Sequence, residues 1–112
     1  MKGYRGGFTV GSDDHKGRPG AAHPGSGSFG VYGGLTCIWA EELTREGLWK
    51  ALKARCCYGT TGQRIRLEVT ADGQPMGAEF TADGPPKIEV KVWGTAPIER
   101  VDVFRGLEQV YS

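Results

Sequence analysis

An aspartate and a histidine one residue apart, Asp13 and His15 in "TVGSDDHKGRPG", are the residues of this chain best suited to chemistry. In an extended segment residues i and i+2 project to the same side, so a carboxylate and an imidazole at this spacing converge on one point. That pair of donors suits Zn, Mn or Fe, cations that serve hydrolytic reactions. Asp14 then points the other way, to solvent or to a supporting position behind the ligands. The plainer reading of the same letters is a turn, since Ser and Asp side chains cap turns. Three residues alone do not separate the two readings.

The other candidates are weaker. His23, in "AAHPGSGS", reads as a third ligand or as an exposed loop histidine. Thr60, Thr61 and Arg64, in "GTTGQR", offer two hydroxyls and a guanidinium after a glycine-framed turn. They suit an anionic group held by charge-assisted hydrogen bonds, or else an ordinary strand entry. Arg18 in "GRPG" reads as an anion contact or as a loop charge. Cys56 and Cys57 are adjacent and form no CxxC, so they are poor chelators, and Cys57 reads as a small buried residue after a helix. The sequence contains no nucleophile elbow and no phosphate-binding loop.

The elements that must position these groups are legible from periodicity. "GFTVG" (7–11) reads as a short strand with Phe8 and Val10 on one face. Residues 12–34 form a long Gly/Pro/Ser-rich loop, of a length usually reserved for function or disorder. "LTCIWA" (35–40) reads as a buried strand. Thr44 is placed to cap a helix with Glu46 in its first turn, in which Leu48, Trp49 and Leu52 recur at helical spacing. That helix is expected to end near Cys56, before "YGTTG" turns the chain. From Arg64 the period changes to two. "RIRLEV", "KIEVKVWG", "IERVDVFRG" and "LEQVYS" alternate, and "ADG" is an Asp-Gly hairpin signal. The expected fold class is therefore α+β: one strand and a Gly-rich loop, a strand and an amphipathic helix, then a small antiparallel sheet or half-sandwich of five short strands. The division falls at 1–62 and 63–112.

The chain has 112 residues, enough for one domain. Its Lys, Arg, Asp and Glu are well mixed at a formal net charge of +1, so no basic stripe argues for nucleic acid or an anionic membrane. No apolar run approaches the ~18 residues of a bilayer span, and "MKGYRGGFTVGS" contains no apolar signal region. Three cysteines, two of them adjacent, are no disulfide framework and imply reduced thiols in a cytoplasmic compartment. Many of the 19 glycines fall in the first 34 residues, which marks loops of unusual backbone there.

"GSDDH" resembles the late Gly-Ser-Asp-x-His motif of the PHP (polymerase and histidinol phosphatase) superfamily of metal-dependent hydrolases. The continuation "HKGRPG…HPG…FGVYGGLTCIWAEELTREGLWKALKARCCYGTTGQRIRLEVTADGQPMG" resembles the C-terminal portion of an uncharacterised branch of that superfamily. Its layout is also similar to metallohydrolases of the carbaryl-hydrolase type. The resemblance covers nearly the whole chain. It implies that residues 7–11 are one of the last strands of a distorted β/α barrel with the Gly-Ser-Asp-Asp-His motif following it, and that Asp13 and His15 are late ligands of a cluster of divalent metals (Zn, Mn or Fe). The reaction implied is hydrolysis of a phosphoester or related ester, with the cations activating water and stabilising charge on the leaving oxygen. Arg18 and the Thr60–Thr61–Arg64 turn would face the substrate's anionic end. The family's His-x-His and its other early ligands have no counterpart in these residues. The expectation is thus a C-terminal piece with an incomplete metal site, inactive by itself. It would be completed by a barrel-bearing partner chain or would self-associate through its exposed strand edge. The contrasting reading is a free-standing β binding module at 63–112 with a relic metal loop.

Overall fold

The structure, a computed structural model, describes residues 5–18 and 20–112. Residues 1–4, the opening of the expected first segment, and Pro19 lie outside the described residues. Strand β1 is Leu35–Ile38, helix α1 Arg45–Lys53, β2 Cys57–Thr60, β3 Arg66–Ala71, β4 Gln74–Pro75, β5 Ile88–Trp93, β6 Val103–Arg105 and β7 Glu108–Tyr111. The chain is α+β: one short helix among small antiparallel sheets. No helix among the described residues is long and apolar enough to cross a membrane.

Helix α1 begins where the sequence places it. Thr44 is extended (φ −121°, ψ 163°) and its Oγ1 accepts a hydrogen bond from the Gly47 amide at 3.0 Å. The exit departs from expectation. Arg55 adopts φ 62°, with the Arg55 amide donating to Leu52 O and the Cys56 amide to Ala51 O. These are the two bonds of a Schellman motif, with arginine in the left-handed position that glycine normally takes. What holds Arg55 there is its side chain, whose Nη2 donates to Gly77 O at 2.9 Å and to Glu79 Oε1 at 2.8 Å. Because this cap reverses the chain so sharply, "CYGT" runs as β2 against β1 (Leu35↔Thr60, Ile38↔Cys57) instead of forming the expected turn.

The Asp-Gly signal is borne out. Asp72 and Gly73 both have positive φ (49° and 76°), the type I′ geometry that joins β3 to β4. β3 also pairs with β5 from Arg66↔Trp93 to Ala71↔Ile88. The five expected strands form two separate sheets, in the order β4-β3-β5 and β6-β7, rather than one. A shift of register between Val103 and Phe104 breaks the last hairpin's regularity.

The expected strand at 7–11 is a correction. "GFTVG" joins no sheet among the described residues. The main-chain bonds of Val10 go instead to one side chain: the Val10 amide donates to Thr36 Oγ1, and that hydroxyl donates to Val10 O, both at 2.8 Å, while Phe8 O accepts from Cys57 Sγ at 3.5 Å. The Val10 side chain then lies over two glycines. A β-carbon at Gly34 or Gly59 would fall 2.1 Å or 1.9 Å from its methyls.

Contacts also cross the expected boundary at 62/63. Trp39 Nε1 donates to Leu67 O at 3.0 Å. The Arg66 guanidinium lies between two indoles, 5.1 Å from the Trp39 ring and 4.8 Å from the Trp93 ring. Tyr58 OH donates to Ile65 O and accepts from the Leu67 amide. The core they enclose is small. Ala51 and Cys57 are the buried apolar residues among those described, while Trp49, Leu43 and Phe8 stand exposed. Accessible surface is 9123 Å², against about 6,000 Å² for a compact monomer of 12.1 kDa. The radius of gyration is 16.0 Å, where about 13 Å would be compact.

Candidate metal centre

Asp13 and His15 do converge, but not by strand alternation. Asp13 has φ 51°, a left-handed conformation that aspartate tolerates better than most side chains, and a turn begins at His15. The result is Asp13 Oδ1 3.5 Å from His15 Nε2, both side chains open to solvent at 84% and 72% exposure. At 3.5 Å the pair is too far apart for a good hydrogen bond. Two ligands each about 2.1 Å from one cation sit roughly 3.0–3.5 Å apart, so the spacing fits adjacent positions in one coordination shell.

Asp14 is the anchor of the loop. Its Oδ1 accepts from Ser28 Oγ at 2.6 Å and from the Ser28 amide at 2.9 Å. The Ser28 hydroxyl first, and its N–H second, hold the Asp14 carboxyl below the usual carboxylate range. The His15 amide also donates to Ser28 Oγ, and the Asp14 amide to Ser12 Oγ. The Phe29 ring meets His15 edge-on at 5.5 Å. Residues 12–16 are thereby fixed to 26–29. Asp14 therefore turns its carboxylate to Ser28 rather than to Asp13 and His15.

The remaining candidates are placed as follows. His23 Nδ1 lies 2.9 Å from Pro24 O, a carbonyl that accepts its hydrogen. His23 O accepts from the Ser26 and Gly27 amides, which curls the "HPGSG" turn. Among the described residues no three His, Cys, Asp or Glu side chains gather into one group, so His23 does not join the Asp13–His15 pair. Arg18 O accepts from the Ala21 amide. Thr60 ends β2, and its Oγ1 lies 3.4 Å from the Gly62 amide, in the turn that carries Thr61 and leads to Arg64.

Gly33 links that turn to the loop that carries Asp13 and His15. A β-carbon on Gly33 would meet Ser12 Cβ at 2.4 Å and Ala22 Cβ at 2.8 Å, while one on Gly62 would meet Gly33 O at 3.0 Å and Tyr32 Cβ at 2.6 Å. Close packing that only glycine permits thus stacks the Ser12 segment, Gly33 and the 60–64 turn in succession. Sequence reasoning missed Ser28 and Gly33. Ser12 was in view as part of the Ser-Asp turn, but nothing local signals a bond spanning 14 residues.

A family described as protein of unknown function (DUF3604) matches residues 15–84. The chain belongs to that family. The DUF3604 match takes in His15, His23 and the 60–64 turn, and begins just after Asp13 and Asp14. An uncharacterized protein of Chlamydia pneumoniae is 38% identical over 85 residues, covering 70% of this chain and 14% of the relative. Uncharacterized proteins of Chlamydia muridarum and Chlamydia trachomatis are 32% and 35% identical over the same length and shares. The chain therefore spans about one-seventh of the length of the curated relatives it matches. No solved structure matches it at a significant level.

Proposed function

We propose that this DUF3604 chain is part of a divalent-metal-dependent hydrolase of phosphoesterase type, related to the PHP superfamily, and that it contributes Asp13 and His15 to the metal's shell. The observation that carries the reading is the open carboxylate–imidazole pair at 3.5 Å, held by a loop whose own aspartate is already engaged with Ser28. When bound, the cation would activate water and stabilise charge on the leaving oxygen. This chain's residues have three tasks around it. Asp13 and His15 donate, Asp14 and Ser28 fix the loop, and Thr60, Thr61 and Arg64 are offered to an anionic substrate group from the neighbouring turn.

Two donors leave most of a shell unfilled, so the chain alone is proposed to turn nothing over. Its large accessible surface and its coverage of one-seventh of its relatives support a role as part of a longer unit. The alternative, a β binding module, draws on the apolar groove lined by Ile88, Val90, Ile98 and Val101, and needs no metal.

Manganese titrated into the labelled chain separates these readings. Paramagnetic broadening is expected first at the amides of residues 12–16 and 26–29. Broadening scattered over other carboxylates, such as Glu41 and Asp83, contradicts the metal reading. Release of nitrophenolate from nitrophenyl phosphate by the chain alone, undiminished in an Asp13→Ala/His15→Ala variant, contradicts it as well.

A further inference from the structure

The sheet β4-β3-β5 ends in two unlike edges. β4 is two residues long and contains Pro75, which has no N–H to offer. β5 is six residues long, has no proline, and pairs with β3 alone among the described residues. Edges of the second kind are templates for another strand.

The phase of β5 can be read from its ladder. The Asp72 amide donates to Lys87 O at 2.9 Å, so Lys87 sits in a hydrogen-bonded pair one step beyond Ala71↔Ile88. Bonded and non-bonded pairs alternate in an antiparallel ladder. Glu89, Lys91 and Trp93 therefore direct their main-chain groups at β3. Ile88, Val90 and Val92 direct theirs outward, at the open edge.

We infer that two copies of this chain join β5 to β5, antiparallel about a two-fold axis at Val90, into one six-stranded sheet. That register is the one that satisfies every term at once. Val90 pairs with Val90 of the second copy and Ile88 with Val92, so the three outward-facing residues exchange their N–H and C=O groups reciprocally. The apolar face of one sheet continues into that of the other. On the opposite face Glu89 stands across from Lys91, twice by symmetry, at the non-bonded positions where side chains come closest. Within the described residues Glu89 pairs with Lys87 along the strand, whereas no ion pair engages Lys91. Registers shifted by two residues in either direction put Lys91 across from Lys91 or Glu89 across from Glu89.

Area agrees. Each chain's surface exceeds that of a compact monomer by about 3,000 Å² by the scaling above, more than the roughly 600–1,000 Å² per partner that a stable interface buries. The groove along β5, of about 660 Å³ and lined by Ile88, Val90, Val92, Ile98, Val101 and Val110, runs beside this edge. Joining two copies would set the two grooves next to each other.

Sedimentation equilibrium of the full chain, with amide exchange followed at low and high concentration, tests the inference. The expected result is a concentration-dependent dimer in which the Ile88, Val90 and Val92 amides gain protection as it forms. Lys91→Glu sets two like-charge pairs across the axis and should weaken the dimer about tenfold. Glu89→Lys combined with Lys91→Glu restores opposite charges and should restore the dimer. A monomer at all concentrations overturns the inference. So does a dimer indifferent to Lys91→Glu, one that the double exchange fails to rescue, or protection gained at other strands instead.

Discussion

Gly59→Ala tests how the segment leading into Asp13 and His15 is held to the rest of the chain. Gly59 lies in β2 outside the positive-φ region, so alanine is acceptable to the backbone there. The added β-carbon would nevertheless stand 1.9 Å from Val10 Cγ2 and 3.0 Å from Val10 Cβ. Val10 cannot turn aside freely, because its amide and carbonyl are both bonded to the Thr36 hydroxyl at 2.8 Å. Val10 is 40% exposed, so about three-fifths of a valine's burial is lost if it is expelled. That is roughly 1–2 kcal/mol on the usual 1.5–3 kcal/mol for full burial. Overpacking alone costs about 1–3 kcal/mol, so the expected penalty is about 2 kcal/mol, together with faster amide exchange at residues 10–15. Val10→Ala alone should cost about 1 kcal/mol. Since the smaller side chain removes the obstructing methyl, the double variant should be much less destabilised than the sum of the two. A double-mutant cycle by urea denaturation gives the coupling. Additive penalties would refute the account of Val10 as the clamp between Gly34 and Gly59.

Thr44→Ala removes the acceptor for the Gly47 amide and should cost about 1 kcal/mol, with Thr44→Ser close to wild type, by denaturant midpoint. Tyr58→Phe removes both bonds of its hydroxyl, to Ile65 O and from the Leu67 amide, at about 1–3 kcal/mol. Burial above all pushes the Tyr58 phenol upward. Its contribution should therefore stand in full below the ordinary ionisation near pH 10 and fade as pH rises through the higher folded value. An ultraviolet titration should show a late phenol ionisation that is lost in Tyr58→Phe. Arg66→Ala opens the stack between Trp39 and Trp93 and should cost about 1 kcal/mol with a change in indole fluorescence, Arg66→Lys retaining part of both.

Local signals carried the elements that depend on local chemistry. The Thr44 cap, the Asp72-Gly73 turn and the alternation of β3 and β5 were all legible, because each is decided within a few residues. What escaped was decided by distant neighbours. "CYGT" became a strand because Arg55 takes a glycine-like conformation, held by Gly77 and Glu79 more than 20 residues away. "GFTVG" joins no sheet among the described residues, and Thr36 satisfies Val10 there with one hydroxyl. At the candidate site the approach of Asp13 to His15 was expected from i, i+2 spacing in an extended segment, whereas a left-handed Asp13 and a turn at His15 bring it about. The turn that creates it, the Ser28 anchor and the glycine stack leading to Thr60 depend on contacts between segments that no spacing rule connects.

The most direct measurement of the central claim is calorimetric titration of the purified chain with Mn and with Zn, beside an Asp13→Ala/His15→Ala variant. Two exposed donors predict weak binding, a Kd of about 100 µM or poorer (under ~6 kcal/mol), abolished in the variant. Binding that the variant retains unchanged, or no binding by either metal to the wild-type chain at millimolar concentration, would contradict the assignment of Asp13 and His15 as metal ligands.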